Sequence, residues 1–267
     1  MSSTGPAAEH SAERLLRLAA AVAAPTTLLT GLLFYFGWAH AFWFFEYFGV
    51  HLTVLDLSTQ DYLMRSVNGL FFPTLVGGVI ALGILAAARL GRGRLLPVRW
   101  VAIAGGVLVL VGLLAILGIQ WFSFYPGVAP LGLACGVLLL AYAARIRRVV
   151  EWAGAFVLVG VSLFWAVTNY SAAVGLAAAY KVQSELSTYP NAVLYSEKSL
   201  GIHGPGVREV PEPAGGAYAV RYEGLKLIVQ SGGYYFFLPQ SWSPADGPAI
   251  VLPRDNTVRL EFTRAWR

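Results

Sequence analysis

Two hydropathy patterns divide the chain. As far as about residue 180 it consists of long apolar runs separated by short polar turns; beyond that, apolar and polar residues alternate over short stretches. The first run follows Arg14-Leu15-Leu16-Arg17 and reaches Trp38, and the others cover Ser66 to Ala88, Trp100 to Trp121, Val128 to Ala144 and Trp152 to Gly175. Roughly 20 apolar residues at 1.5 Å each cross the ~30 Å hydrocarbon layer of a bilayer, so each run predicts a transmembrane helix, the fourth at the short limit. The first run is longer than the apolar core of a signal peptide and ends in Phe34-Tyr35-Phe36-Gly37-Trp38 rather than in small residues, which predicts an uncleaved span.

The segment 39–65 is dense in aromatics, among them Phe42, Trp43, Phe44, Phe45, Tyr47 and Phe48, with Glu46, Asp56 and Asp61 interspersed. Rings with an apolar body and a polar tip settle at the headgroup level, which predicts a loop or short helix in the interface. Ser58 followed by Asp61 reads as a helix N-cap with an acid in the first turn, starting the second span.

After residue 180 the period is two. Leu225, Leu227 and Val229 alternate with Lys226, Ile228 and Gln230, and Val258, Leu260 and Phe262 alternate with Arg259 and Glu261. Ser231-Gly232-Gly233 separates Leu225–Gln230 from Tyr234–Leu238, the pattern of a hairpin. Further strands are expected at Ala192–Ser196, Tyr218–Tyr222 and Ala249–Leu252, with a Gly/Pro-rich loop of little regular structure from Gly201 to Gly216. The expected fold is therefore an α-helical membrane bundle of five transmembrane helices, residues 1–180, plus a small C-terminal β-rich domain, residues 181–267. About 80 residues without a disulfide make a marginal core, so this domain is expected to dock on the aromatic segment.

Charge sets the expected orientation. Basic residues in short loops are retained in the cytoplasm. With the N-terminal residues inside, Arg14, Arg17, Arg89, Arg92, Arg94, Arg99, Arg145, Arg147 and Arg148 are all cytoplasmic, and the short outer loops hold only Arg65. Five spans then deliver residues 181–267 to the extracytoplasmic side of the plasma membrane.

Composition narrows the function classes. A charged fraction of 12% against an apolar fraction of 57% is that of a membrane protein. Net charge +5 does not indicate nucleic acid, because nine basic and eight acidic residues leave 181–267 almost neutral and the excess sits beside the apolar runs. Sixteen arginines against three lysines, with abundant Ala and Gly, point to a high-GC bacterial genome. Cys135, the single cysteine, excludes an intrachain disulfide and a cysteine-rich metal site.

Phe34–Trp38, Tyr47-Phe48-Gly49-Val50, Leu57–Leu63, Tyr222–Leu227 and Gly233-Tyr234-Tyr235-Phe236-Phe237-Leu238-Pro239 together resemble an uncharacterised family of actinobacterial multi-span membrane proteins with a C-terminal β-rich extracytoplasmic domain. The resemblance covers nearly the whole chain. It implies source and architecture and brings no activity, substrate or catalytic residue.

Few constellations carry chemistry. His40, Glu46, His51, Asp56 and Asp61 are of metal-binding type, but no i, i+4 pair fixes their convergence. His203 stands alone in a Gly/Pro loop. The span interiors hold no ionisable residue, unlike those of ion-coupled carriers; Asn68, Thr74, Ser162, Thr168 and Asn169 are their notable polar groups, suited to hydrogen bonding between helices. Glu151 is placed to pair locally with Arg147 and Arg148 or to complement a helix N-terminus. Pro73 with Gly77-Gly78 reads as a kink, and Gly132 with Gly136 as a close-packing face. No nucleotide loop, paired metal-binding histidines, nucleophile elbow or Cys/His pair occurs. The sequence thus assigns no catalytic, cofactor or metal residue. Its first reading is a non-enzymatic envelope protein whose outer β-domain and aromatic surface contact another envelope protein, a lipid or a wall component, with the Gly201–Gly216 loop and the Tyr234–Phe237 hairpin as the first surfaces to test. The alternatives are a channel or carrier lined by Asn68 and Asn169, and an enzyme acting on lipid-linked substrates at the outer leaflet.

Overall fold

The computed structural model describes residues 6–67, 69, 97–116, 128–146 and 148–263. By contact the chain divides into two compact units, Met1–Phe36 with Ser66–Tyr170, and Gly37–Arg65 with Ser171–Arg267.

Among the described residues the long helices are α1 (Pro6–Tyr47), α2 (Val98–Ile116), α3 (Val128–Ala143) and α4 (Val149–Ser184). Among the described residues three stretches are long and apolar enough to cross a membrane: Thr26–Tyr47, Val98–Ile116 and Val149–Ser184. Three candidate spans are thus shown where five were expected. The fourth run is helical but only 16 residues long, about 24 Å, and most of the second run, residues 70–88, lies outside the described residues with Thr74, Pro73 and Gly77-Gly78. Apolar side chains such as Ile103, Val107 and Leu110 point outward, each more than half exposed. An apolar exterior on helices of this length is what a hydrocarbon solvent selects, and the chain is a membrane protein.

Within the first unit, α2 and α3 pack through small residues. A Cβ on Gly136 would meet the Gly105 carbonyl oxygen at 2.8 Å, and one on Gly112 the Leu133 side chain at 2.8 Å. The absence of side chains lets the two backbones approach, as anticipated for Gly136. Gly132 is less constrained, its nearest neighbour being Leu108 at 3.8 Å.

The second unit holds a sheet of six strands, β1 (Asn191–Ser196), β2 (Arg208–Pro211), β3 (Val220–Ser231), β4 (Tyr234–Pro239), β5 (Ile250–Pro253) and β6 (Val258–Thr263). All neighbours are antiparallel, in the order β5-β4-β3-β1-β6, with β2 paired to the first part of β3. The two strands expected at Tyr218–Tyr222 and Leu225–Gln230 are one long strand, and the supposed structureless loop contains β2. Gly224, at φ +82°, makes this possible: any side chain there would strike the Gly206 carbonyl. The β3–β4 hairpin turns on Gly232 and Gly233, both with positive φ, as a two-residue turn of the primed type requires.

The alternation read from the sequence fails at one point. Leu225 and Leu227 face one core, but a register shift between Leu227 and Val229 puts both Ile228 and Val229 against the other. An extra residue on one strand reverses the facing of everything beyond it.

Both faces of the sheet are covered near β4. Phe237, Leu225, Leu194 and Tyr222 form one core; Phe236, Leu238 and Trp242 form the other with Phe44, Phe45, Phe48, Leu52 and Leu55. Several rings of the aromatic segment are therefore buried in a core beneath the sheet. Residues 39–47 continue α1 as helix, a 3₁₀ turn follows at Leu52–Leu55, and residues 59–67 are helical. The sheet docks on this segment, as its small size demanded, and by contact 39–65 groups with the sheet.

Candidate functional site

The hairpin aromatics Phe236 and Phe237 are 1% and 0% exposed, which makes them core, with Tyr234 and Tyr235 packed at the edges. The Gly201–Gly216 loop is tied to the sheet at its start: Ile202 is buried, and the buried Tyr222 hydroxyl accepts the Leu200 amide at 2.7 Å. His203 is exposed.

The residues of metal-binding type do not converge. Among the described residues no three His, Cys, Asp or Glu side chains form a cluster able to hold an ion. Glu46 and Asp56 are exposed, and His51 Nδ1 is engaged with Thr53 Oγ1 at 2.8 Å. Asp61 belongs to a capping box: its Oδ2 accepts the Ser58 amide at 2.9 Å and the Ser58 hydroxyl at 2.7 Å, while its own amide donates to Ser58 Oγ. Burial acts to raise the Asp61 carboxyl. The Ser231 hydroxyl, near it but outside hydrogen-bond geometry, the Ser58 donors and the Arg65 charge outweigh that and hold it below the usual carboxylate range.

Two of the polar groups singled out on the helices are satisfied locally. Ser162 and Thr168 donate to the carbonyls of Leu158 and Phe164 in the preceding turn, and Thr168 also meets the Tyr35 hydroxyl. The cavity beside Ser162 is walled by Ala115, Ile116, Leu133, Val161 and Trp165, an apolar lining unsuited to ions. Asn68 lies outside the described residues.

The arrangement with most chemical character is one the sequence did not single out. On the part of the sheet that the helical segments leave open, the guanidinium of Arg259 lies 4.5 Å from the ring centre of Tyr195 and 5.2 Å from that of Tyr218. Arg259 Nη2 donates to Glu261 Oε1 at 2.7 Å, and the Tyr195 hydroxyl donates to Glu261 Oε2 at 3.1 Å. Beside it opens a cavity of about 260 Å³ lined by Tyr195, Glu212, Pro213, Tyr218 and Arg259. Arg221 bridges Glu212 at 3.4 Å and Glu223 at 3.0 Å, fixing the cavity's acidic wall.

Strand pairing assembles this cleft. Tyr195 stands opposite Arg259 on β6 and opposite Arg221 on β3, so three strands place their outward side chains together. Arg259 and Glu261 could be read from sequence as neighbours on one face, being two residues apart. Nothing local tells that Tyr195, more than sixty positions earlier, packs against both Arg259 and Tyr218.

No family model matches the chain, and no curated protein or solved structure matches it.

Proposed function

We propose that this chain is a non-enzymatic, multi-pass protein of the plasma membrane that works as an accessory or interaction subunit, binding a protein partner through the Tyr195–Arg259–Tyr218 cleft. The reading includes five crossings, with the first residues and the arginine-rich turns cytoplasmic and the sheet extracytoplasmic; the nine-to-one distribution of arginines supports that sidedness. The observation that carries the binding role is the cleft. Tyrosine and arginine are the residue types that dominate protein interfaces, and here a cation lies against two neighbouring rings at the rim of a concavity. The cavity is below the size of about 300 Å³ typical of small-molecule sites, and suits one anchoring side chain of a partner.

The test is affinity purification of the full-length tagged protein in mild detergent, beside Tyr218→Ala and Arg259→Ala variants of equal thermal stability. A co-purifying protein whose yield falls about tenfold or more in both variants supports the reading, since truncating an interface anchor costs at least about 2 kcal/mol. A partner recovered equally by all three proteins, or no partner at all, refutes it.

A further inference from the structure

Arg65 is the only arginine of the short loops placed outside by the charge distribution, and its surroundings are unusual for a cation. Its guanidinium carbon lies 6.0 Å from the ring centre of Phe44 and 5.4 Å from that of Phe45. The residue is half-buried, and among the described residues its guanidinium has neither a hydrogen bond nor a carboxylate within ion-pair distance. Asp61, one turn earlier, is the closest acidic influence, and the nearby titratable groups besides it are Tyr62 and His40. The Asp61 carboxylate is turned to the Ser58 cap, so it tempers the positive field without contacting the cation.

The placement follows from the local helix. Residues 59–67 run back along α1, and they come so close that a side chain on Gly37 would strike the Tyr62 carbonyl. Side chains on a helix lean toward its N-terminus, so Arg65 reaches back over Phe44 and Phe45 instead of down along the apolar run that begins at Ser66. The two rings lie beside the guanidinium and offer it no hydrogen-bond acceptor.

We propose that Arg65 binds a phosphate oxyanion, with Phe44 and Phe45 as the floor of the site, and that the phosphate is the diester of a membrane lipid headgroup. A guanidinium has five donors in a planar fork that matches two phosphate oxygens, and a fork without an acceptor among the described residues, at the edge of an apolar run, suits an anion from the surroundings. Arg65 directly precedes the apolar run that begins at Ser66, and a basic residue at the end of such a run lies at headgroup depth, where lipid phosphates are the abundant anions. The single charge of a diester suits a site whose field Asp61 already weakens.

The test uses the full-length protein in non-ionic detergent with an arginine-selective dicarbonyl reagent, modification at Arg65 being followed by peptide mass spectrometry. Phosphatidylglycerol should slow modification of Arg65 about tenfold, whereas diacylglycerol of the same chains should not, because only the phosphate engages the fork. Equal protection by diacylglycerol, or none by phosphatidylglycerol, overturns the proposal. Inorganic phosphate protecting as well as the lipid overturns the headgroup assignment and makes the site one for free phosphate. Lipid retention by Arg65→Gln in native mass spectrometry should drop by a similar factor; unchanged retention also overturns it. The dicarbonyl arm needs no variant, so a folding defect in Arg65→Gln leaves the question decidable.

Discussion

Phe236 of β4 meets Phe45 of α1 edge to face, with ring centres 5.3 Å apart and planes at 89°. This contact joins the sheet to a helix almost two hundred residues earlier in sequence, and Phe48 adds a second edge-on contact to Phe236 at 5.7 Å. Phe236→Ala should lower the stability of this unit by about 3–5 kcal/mol, the usual cost of emptying a buried phenylalanine site. A double-mutant cycle with Phe45→Leu and Phe236→Leu should return a coupling of about 0.5–1.5 kcal/mol. The measurement is the thermal midpoint of the full chain in detergent, and additive effects would mean that the two rings are not in contact.

The two glycines of the β3–β4 turn should differ. Both have positive φ, +60° at Gly232 and +79° at Gly233, so alanine strains the backbone by about 1–2 kcal/mol at either. Only Gly232 is also packed against a carbonyl: a Cβ there would collide with the Leu55 and Asp56 oxygens, while nothing lies within 4 Å of one at Gly233. Gly232→Ala should therefore destabilise clearly more than Gly233→Ala, read as the difference in thermal midpoint. Equal shifts would show that the turn does not bear on Leu55.

Asp61 should make stability fall in acid. Its carboxyl is held below the ordinary range, so its contribution is complete above the unfolded value and is lost as pH drops through the folded one. Asp61→Asn should flatten that part of the pH–stability curve. Ser58→Ala, which removes the other half of the capping box, should cost about 0.5–2 kcal/mol at neutral pH. A curve of the same shape in wild type and Asp61→Asn would remove the cap from the account.

Lys226 should add a second rise of stability with pH, at alkaline pH. It is 2% exposed and its Nζ donates to the Tyr189 carbonyl at 2.6 Å, capping the end of the 3₁₀ turn Leu186–Thr188. Burial lowers its pKa, so the folded state sheds its proton first, and stability should rise as pH climbs through the folded value toward the ordinary lysine value. Lys226→Met keeps the stem but leaves the carbonyl without a donor, and should cost about 1–3 kcal/mol at neutral pH. Denaturation monitored between neutral pH and pH 10 distinguishes the two effects, since the methionine variant should lack the alkaline rise.

The Ser58–Asp61 cap, the Gly232-Gly233 turn, the strands β1, β4 and β6 and the close-packing role of Gly136 were legible in the sequence. Each depends on groups within a few residues or on a period that the chain itself displays. The burial of the aromatic rings was not legible, for the complementary reason. A run of phenylalanines beside an apolar helix has the composition of both a headgroup belt and a core, and only the arrival of Phe236, Leu238 and Trp242 selects the second. The bulge at Ile228 escaped alternation because a register shift is a property of two strands.

The sequence by itself determined that the chain enters a membrane and ends in a sheet, since hydrophobic length and period two are local quantities that water and hydrocarbon read directly. Tertiary structure alone decided what the sheet rests on and which side chains share a cleft. Phe45 with Phe236, and Tyr195 with Tyr218 and Arg259, become neighbours only when strands and helices distant in sequence pair and pack, and no local pattern encodes that meeting.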